Sequence, residues 1–255
     1  MKLPKEYEIE LPVMRGSKGR PVRLIQEWLS LNGLGLTIDS SYGPATESAV
    51  RAFQKQVGRK STGSVNELTF NELIAPITRA LSPLEASGEQ TTFSSRVIVA
   101  AQKHLAEHPR EVGGTNCGPW VRHYTGGHEG DAWAWCAGFV TAMLRAAAEG
   151  QPAEVRAPIR GSLSCDTLTA QARAAGCFVA ERQRQSASPS LSGGAIFLVR
   201  SKKNASDWIH TGIVTALHDE YFETIEGNTN DSGDREGYEV CARRRSYKNM
   251  DFIRL

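Results

Sequence analysis

Apolar positions in the first third of the chain recur at helical spacing. Val22, Ile25 and Leu29 make one stripe; Pro21 stands where a first turn tolerates proline, and Asn32-Gly33 ends the run, so a helix is expected from Gly19 onward. Tyr42-Gly43-Pro44 opens a second helix with the stripe Ala49, Val50, Phe53 and Val57, closed by Gly58. A third, short helix is expected from Asn66 or Glu67 to Leu73 or Ile74. Ahead of them, an extended lead-in offers Ile9 and Leu11 for packing. Tyr42-Gly43-x-x-Thr46 recurs as Val65-Asn66-x-x-Thr69, a faint internal repeat. Gly43 and Asn66 readily take left-handed backbone angles, so both repeats are expected to share one turn there.

Residues 76 to 93, with Pro76, Ser82, Pro83, Ser87 and Gly88, read as a linker. Ser94 or Ser95 is expected to cap the next helix, whose apolar face is Val97, Ile98, Ala101 and Leu105. A glycine-rich stretch from 113 to 131 holds a short helix around Val121 to Tyr124. Cys136, Val140, Leu144 and Ala147 then mark a helix that ends near Gly150, and another is expected near Thr167 to Ala175. Beyond Ser192-Gly193-Gly194 the period changes. Ala195 to Val199, Ile209 to Leu217, Tyr221 to Ile225, Tyr238 to Ala242 and Phe252 to Leu255 read as strands of one antiparallel sheet. Helices followed by strands give an α+β domain after an all-α three-helix one.

Composition narrows the chemistry. The chain has 255 residues and a formal charge of +2, too little to imply nucleic-acid binding. Its 5 cysteines are odd in number and scattered, which fits neither a disulfide framework nor a zinc ribbon. No apolar run is long enough to cross a bilayer, and Met1-Lys2-Leu3-Pro4-Lys5-Glu6 lacks the apolar core of a signal peptide. The expectation is a monomer made in the cytoplasm, with no cofactor and no membrane insertion. His128, Glu129 and Asp131 lack regular spacing of oxygen donors and read as a solvated loop rather than a metal site.

The reactive candidate is Cys136, in the first turn of its helix, where unpaired N–H groups and the positive end of the helix dipole favour a thiolate. The competing reading is a small buried hydrophobe. Of the six histidines, His210 lies on an expected strand, where a histidine taken alone is more often packed or exposed than catalytic. On the next strand, Glu226 or Asn228 could accept its ring N–H and hold the other nitrogen toward sulfur, the arrangement of an activated nucleophile. Cys117 is a second cysteine near the expected cleft, and Arg243-Arg244-Arg245 reads as a charged sheet edge or as a contact to acidic groups of a substrate.

Two resemblances follow from these motifs. Val22-x-x-Ile25-Gln26-x-x-Leu29, Asp39-x-x-Tyr42-Gly43-x-x-Thr46, Ala49-Val50-x-x-Phe53-Gln54 and Thr69-Phe70-x-x-Leu73 together resemble the peptidoglycan-binding type 1 domain, over about residues 12 to 75. Ser40, Thr62, Asn66 and Phe70 depart from the family's glycine, aspartate, glycine and tryptophan. Trp135-Cys136-Ala137-x-Phe139-Val140, His210-Thr211-Gly212-Ile213-Val214 and Ile225-Glu226-Gly227-Asn228-Thr229 resemble the CHAP family of cysteine- and histidine-dependent amidohydrolases and peptidases, over 94 to 255. Ala195 departs from the family's usual aspartate.

The second resemblance implies a papain-like fold, with Cys136 the nucleophile, His210 base and then acid, Glu226 the orienting group and Asn228 a further polar contributor. Trp135 and Trp208, with Asp39 and Tyr42 of the N-terminal module, are the candidate substrate contacts. The function implied is hydrolysis of an amide bond in peptidoglycan. The absent leader suggests a phage endolysin released through a holin, or a toxin delivered by a secretion machine. The alternatives are a non-catalytic wall-binding protein and a cysteine acyltransferase or protease acting on proteins.

Overall fold

The computed structural model describes residues 3–84, 92–152, 155–187, 190–204, 206–230 and 237–255. The N-terminal module is built on α1 (Arg20–Leu31), α2 (Pro44–Gln56) and α3 (Glu67–Leu73). Their apolar stripes meet in a core of Val22, Ile25, Leu29, Val50, Phe53 and Leu73. The expected internal repeat is present in the hydrogen bonds. The Gln26 amide donates to Asp39 Oδ1 (2.8 Å), the Ser41 carbonyl and Thr46 Oγ1, and its oxygen accepts from the Ser40 N–H (2.9 Å). One repeat later, the Gln54 amide donates to Thr62 Oγ1, the Ser64 carbonyl (2.9 Å) and Thr69 Oγ1, and its oxygen accepts from the Gly63 N–H (3.0 Å). Each glutamine therefore satisfies one loop that leads into one helix.

The left-handed residues of these loops are not those expected. Gly43 and Asn66 are extended, with φ of −90° and −92°. The positive φ falls at Ser40 (62°) and Gly63 (75°), where an N–H must turn inward to its glutamine. Asn66 instead caps α3, accepting from the Thr69 N–H.

Part of the segment expected as a linker, 76 to 93, is ordered structure. Residues Ala75–Ala80 form α4, because Pro76 sits at a first-turn position and Ile77 packs into the core. Residues 85–91 of that segment lie outside the described residues.

The second half contains α5 (Phe93–Ala106), α6 (Pro119–Thr125), α7 (Cys136–Ala148) and α8 (Cys165–Ala174). The cap of α5 is Thr92, not Ser94 or Ser95: Thr92 Oγ1 accepts from the Ser95 N–H while Ser95 Oγ accepts from the Thr92 N–H. Six strands follow: β1 (Phe178–Val179), β2 (Ile196–Arg200), β3 (Trp208–Leu217), β4 (Tyr221–Thr229), β5 (Glu239–Ser246) and β6 (Met250–Ile253). They form one antiparallel sheet in the order β1-β6-β2-β3-β4-β5. Helix α7 lies against β3 and β4, α8 against β3, and α5 against α7. At Gly227 a side chain would sit 2.7 Å from the Trp135 ring and 2.8 Å from Phe139, so β4 meets the start of α7 through bare backbone. The far end of α7 is held by buried Arg96, which donates to the carbonyls of Ala147 and Glu149.

The module and the sheet-bearing half share a packed seam. Trp28 of α1 meets Trp120 of α6 edge-on at 5.9 Å. Beside them Arg122 is 13% exposed and reaches Glu6 (2.6 Å), Glu27 (2.6 Å) and Glu129 (2.7 Å), while Arg23 bridges Glu27 and Glu129.

Candidate active site

Cys136 is the first residue of α7, with Trp135 as an N-cap that supplies no side-chain acceptor. The first-turn N–H groups are thus left for other partners, and that of Ala137 acts on the Cys136 sulfur. Trp135 is fixed behind it. Its indole N–H donates to Glu111 Oε1 (2.8 Å), and its ring stacks on Tyr124 at 5.3 Å.

Among the described residues, two side chains act on the sulfur. One is the thiol of Cys165, which is the first residue of α8. The chain before α8 is pinned to α7, since Thr141 Oγ1 donates to the Ser162 carbonyl (2.7 Å) and accepts the Ser162 N–H (2.8 Å). Two helix starts are therefore brought together, each opening with a cysteine. The other neighbour is the ring of His210 on β3. His210 Nε2 is 2.8 Å from Glu226 Oε2. Nδ1 closes no hydrogen bond among the described residues, which leaves it as the nitrogen facing the sulfur. Such a contact commonly tightens only when substrate is bound.

Glu226 is 0% exposed and fully partnered. Thr224 Oγ1 donates to Oε1 (2.6 Å), and Arg245 of β5 donates through Nε to Oε1 (2.6 Å) and through Nη2 to Oε2 (2.5 Å). A side chain at Gly212 would lie 2.9 Å from Glu226 Cγ and 2.7 Å from the Phe197 ring. The glycine in mid-strand is what lets Glu226 lie across β3 to His210.

These contacts set the charges. The Cys165 thiol is the largest influence holding Cys136 well below the ordinary thiol range; burial opposes it, and His210 reinforces it. The same contact pushes Cys165 up, so Cys165 keeps its proton. Burial would lower His210, but the Cys136 sulfur and Glu226 overcome it and raise the ring to about 9. Burial would raise Glu226, but the Arg245 fork and His210 hold it down at about 2. These directions favour a thiolate beside an imidazolium, with an ionised carboxylate behind it.

The remaining candidates are placed as follows. Asn228 is buried where β4 leaves its regular register, with φ of 58°. Trp135 is 0% exposed and Tyr42 is 2% exposed, its hydroxyl donating to the Gly63 carbonyl (2.9 Å), so neither ring is available to a ligand. Both were expected as substrate contacts, but each is a core residue that fastens a loop. Asp39 is exposed, with Oδ1 engaged by Gln26 and the Ser41 N–H. Trp208 is also buried, its indole N–H on Asp251 (3.0 Å) and the Arg173 guanidinium over its ring. It lines a cavity of about 370 Å³ shared with Arg173, Phe178, Arg182 and Arg200.

The Cys117 thiol donates to the Thr115 carbonyl; the cysteine beside Cys136 is Cys165. In the arginine run, exposed Arg244 pairs with half-buried Glu223 while Arg245 turns inward to Glu226. Both oxygens of Glu129 are taken by Arg23, Arg122 and the Gly118 N–H, so this loop carboxylate is committed to cations of the protein itself. Cys165 and Arg245 carried no spacing signal; Gly212 was visible only as a glycine inside a strand pattern.

Residues 18–73 match the family model described as "Putative peptidoglycan binding domain". No curated protein matches the chain. The chain thus joins a peptidoglycan-binding module, and with it an association with the cell wall, to helices followed by an antiparallel sheet.

Proposed function

We propose that the protein is a peptidoglycan hydrolase that cuts an amide bond by cysteine nucleophilic catalysis, with its second half a CHAP-like domain of papain-like fold. The observation that carries this reading is the buried chain of contacts from Cys136 to His210 to Glu226, on a polypeptide that also bears a wall-binding module. The Cys136 thiolate attacks the carbonyl of the wall peptide. The Cys136 backbone N–H, with no intrahelical acceptor at the first helical position, steadies the oxyanion. His210 hands its Nδ1 proton to the leaving amine, then takes one from the water that releases the acyl group, while Glu226 keeps the ring oriented. Such a protein reaches the wall as a phage endolysin or as a delivered toxin.

The test is digestion of purified murein by wild type and Cys136→Ala, counting new amino groups and weighing the fragments. Wild type should release amines, and the variant should lose about three orders of magnitude or more while still sedimenting with murein. Equal release by both would remove Cys136 from the mechanism. Release by neither would leave a binding protein.

A further inference from the structure

Glu226 presents a problem that the triad alone does not solve. A carboxylate with no exposed surface has a strong tendency to take a proton, and the nearest one available is on His210. If Glu226 took it, the carboxyl would become the donor and Nε2 the acceptor, and His210 would be left a neutral ring without the carboxylate that stabilises its charged form beside the sulfur. The solution lies one strand away. β5 pairs with β4 so that Phe222 stands opposite Arg245, and the long side chain of Arg245 returns along the strand to Glu226. Both carboxylate oxygens are held by its fork, at 2.6 and 2.5 Å, and its guanidinium lies 5.2 Å over the Phe197 ring. Arg245 is only 16% exposed, so water screens this pair little.

We propose that Arg245 is a positioning residue of the candidate site, acting through Glu226: its fork fixes the carboxylate plane and keeps the carboxylate an acceptor only. This rests on the hydrolase reading for its purpose, but not for its test. With Arg245 in place, the only route for the Cys136 proton is to Nδ1 of His210, which makes one S–H bond break and one N–H bond form with Glu226 unchanged. A mere surface pairing would not need two parallel bonds to a fully buried carboxylate.

The experiment uses the full chain and needs no substrate. Thiolate absorbance at 240 nm is followed against pH in wild type, Arg245→Met and Arg245→Lys, each corrected by the same protein carrying Cys136→Ser. In Arg245→Met, Glu226 takes up a proton, the imidazolium loses its partner, and the Cys136 midpoint moves upward by about one pH unit or more, roughly a tenfold loss of thiolate below it. Arg245→Lys keeps the charge but not the fork, and its midpoint falls between the two. Murein turnover should drop in the same order. If Arg245→Met does not fold, Arg245→Lys decides alone: a wild-type midpoint overturns the proposal. An unmoved midpoint in a folded Arg245→Met, with only its melting temperature lowered, makes Arg245 a prop and likewise overturns it. A wild type that titrates as described yet releases no amines from murein would sink the hydrolase reading and leave the role of Arg245 standing.

Discussion

The Cys165 thiol is the first influence that lowers the proton affinity of Cys136. The Cys165 thiol outweighs both the opposing effect of burial and the favourable ring of His210. Removing this donor should therefore return proton affinity to Cys136. In Cys165→Ala, the rate of alkylation of Cys136 by iodoacetamide should need a higher pH, by about one unit, to reach half its maximum. Cys165→Ser, which restores a donor, should recover most of the shift, and a wild-type profile in Cys165→Ala would refute the assignment. The residues singled out by reading the chain, Cys136, His210 and either Glu226 or Asn228, are those whose types in that order carry a chemical meaning together. Cys165 and Arg245 were hidden because their meaning is tertiary. The first depends on Thr141 pinning the loop before α8 and the second on the register of β5, neither of which leaves a mark in local spacing. The tryptophans misled for the opposite reason: an aromatic beside a reactive residue looks like a ligand platform, yet Trp135 is consumed by Glu111 and Tyr124.

At the scale of the element, the paired loops of the module make a controlled comparison within one chain. Gly63 meets the left-handed requirement with no side chain, whereas Ser40 meets it with one. Ser40→Gly should accordingly stabilise the protein by about 0.5–1 kcal/mol, read as a rise in melting temperature. Gly63→Ala should cost about 1 kcal/mol or more, since its new carbon also falls 2.7 Å from Arg51 Nε and 2.9 Å from Glu47 Cγ. The reverse order of melting temperatures would show that the loops do not demand the same backbone. Long periodic elements were legible: α1, α2, α7 and β3 lie where their stripes and alternations put them. The short ones were not. Two-residue β1 has no period to display, and α4 hides behind Pro76, a residue that punctuates a linker and opens a helix equally well.

Across the whole molecule, the seam is held by one arginine facing three carboxylates. Glu27 is 0% exposed in its side chain, so truncating Arg122 leaves that buried charge with the more exposed Arg23 as its remaining cation. Arg122→Met should destabilise the protein by about 2–3 kcal/mol, less than a fully unpaired buried charge because Arg23 remains, and adding Glu27→Gln should recover a large part of it, because what costs most is the charge left underpaired. Thermal melts of the single and double variants check this; a double variant no more stable than the single would place the loss in packing rather than charge. The peptidoglycan-binding module was legible because its motif is local and repeated, but nothing along the chain announced that Arg122 and Glu27 would meet across 95 positions. Because Trp28, Trp120 and this arginine lock α1 to α6, the peptidoglycan-binding module and the candidate site do not swing on a tether. Under the hydrolase reading proposed above, a protein built this way would work like a gauge: where it lands on the murein mesh would determine which strand comes within reach of the sulfur, and to reach the next it would have to let go and land again.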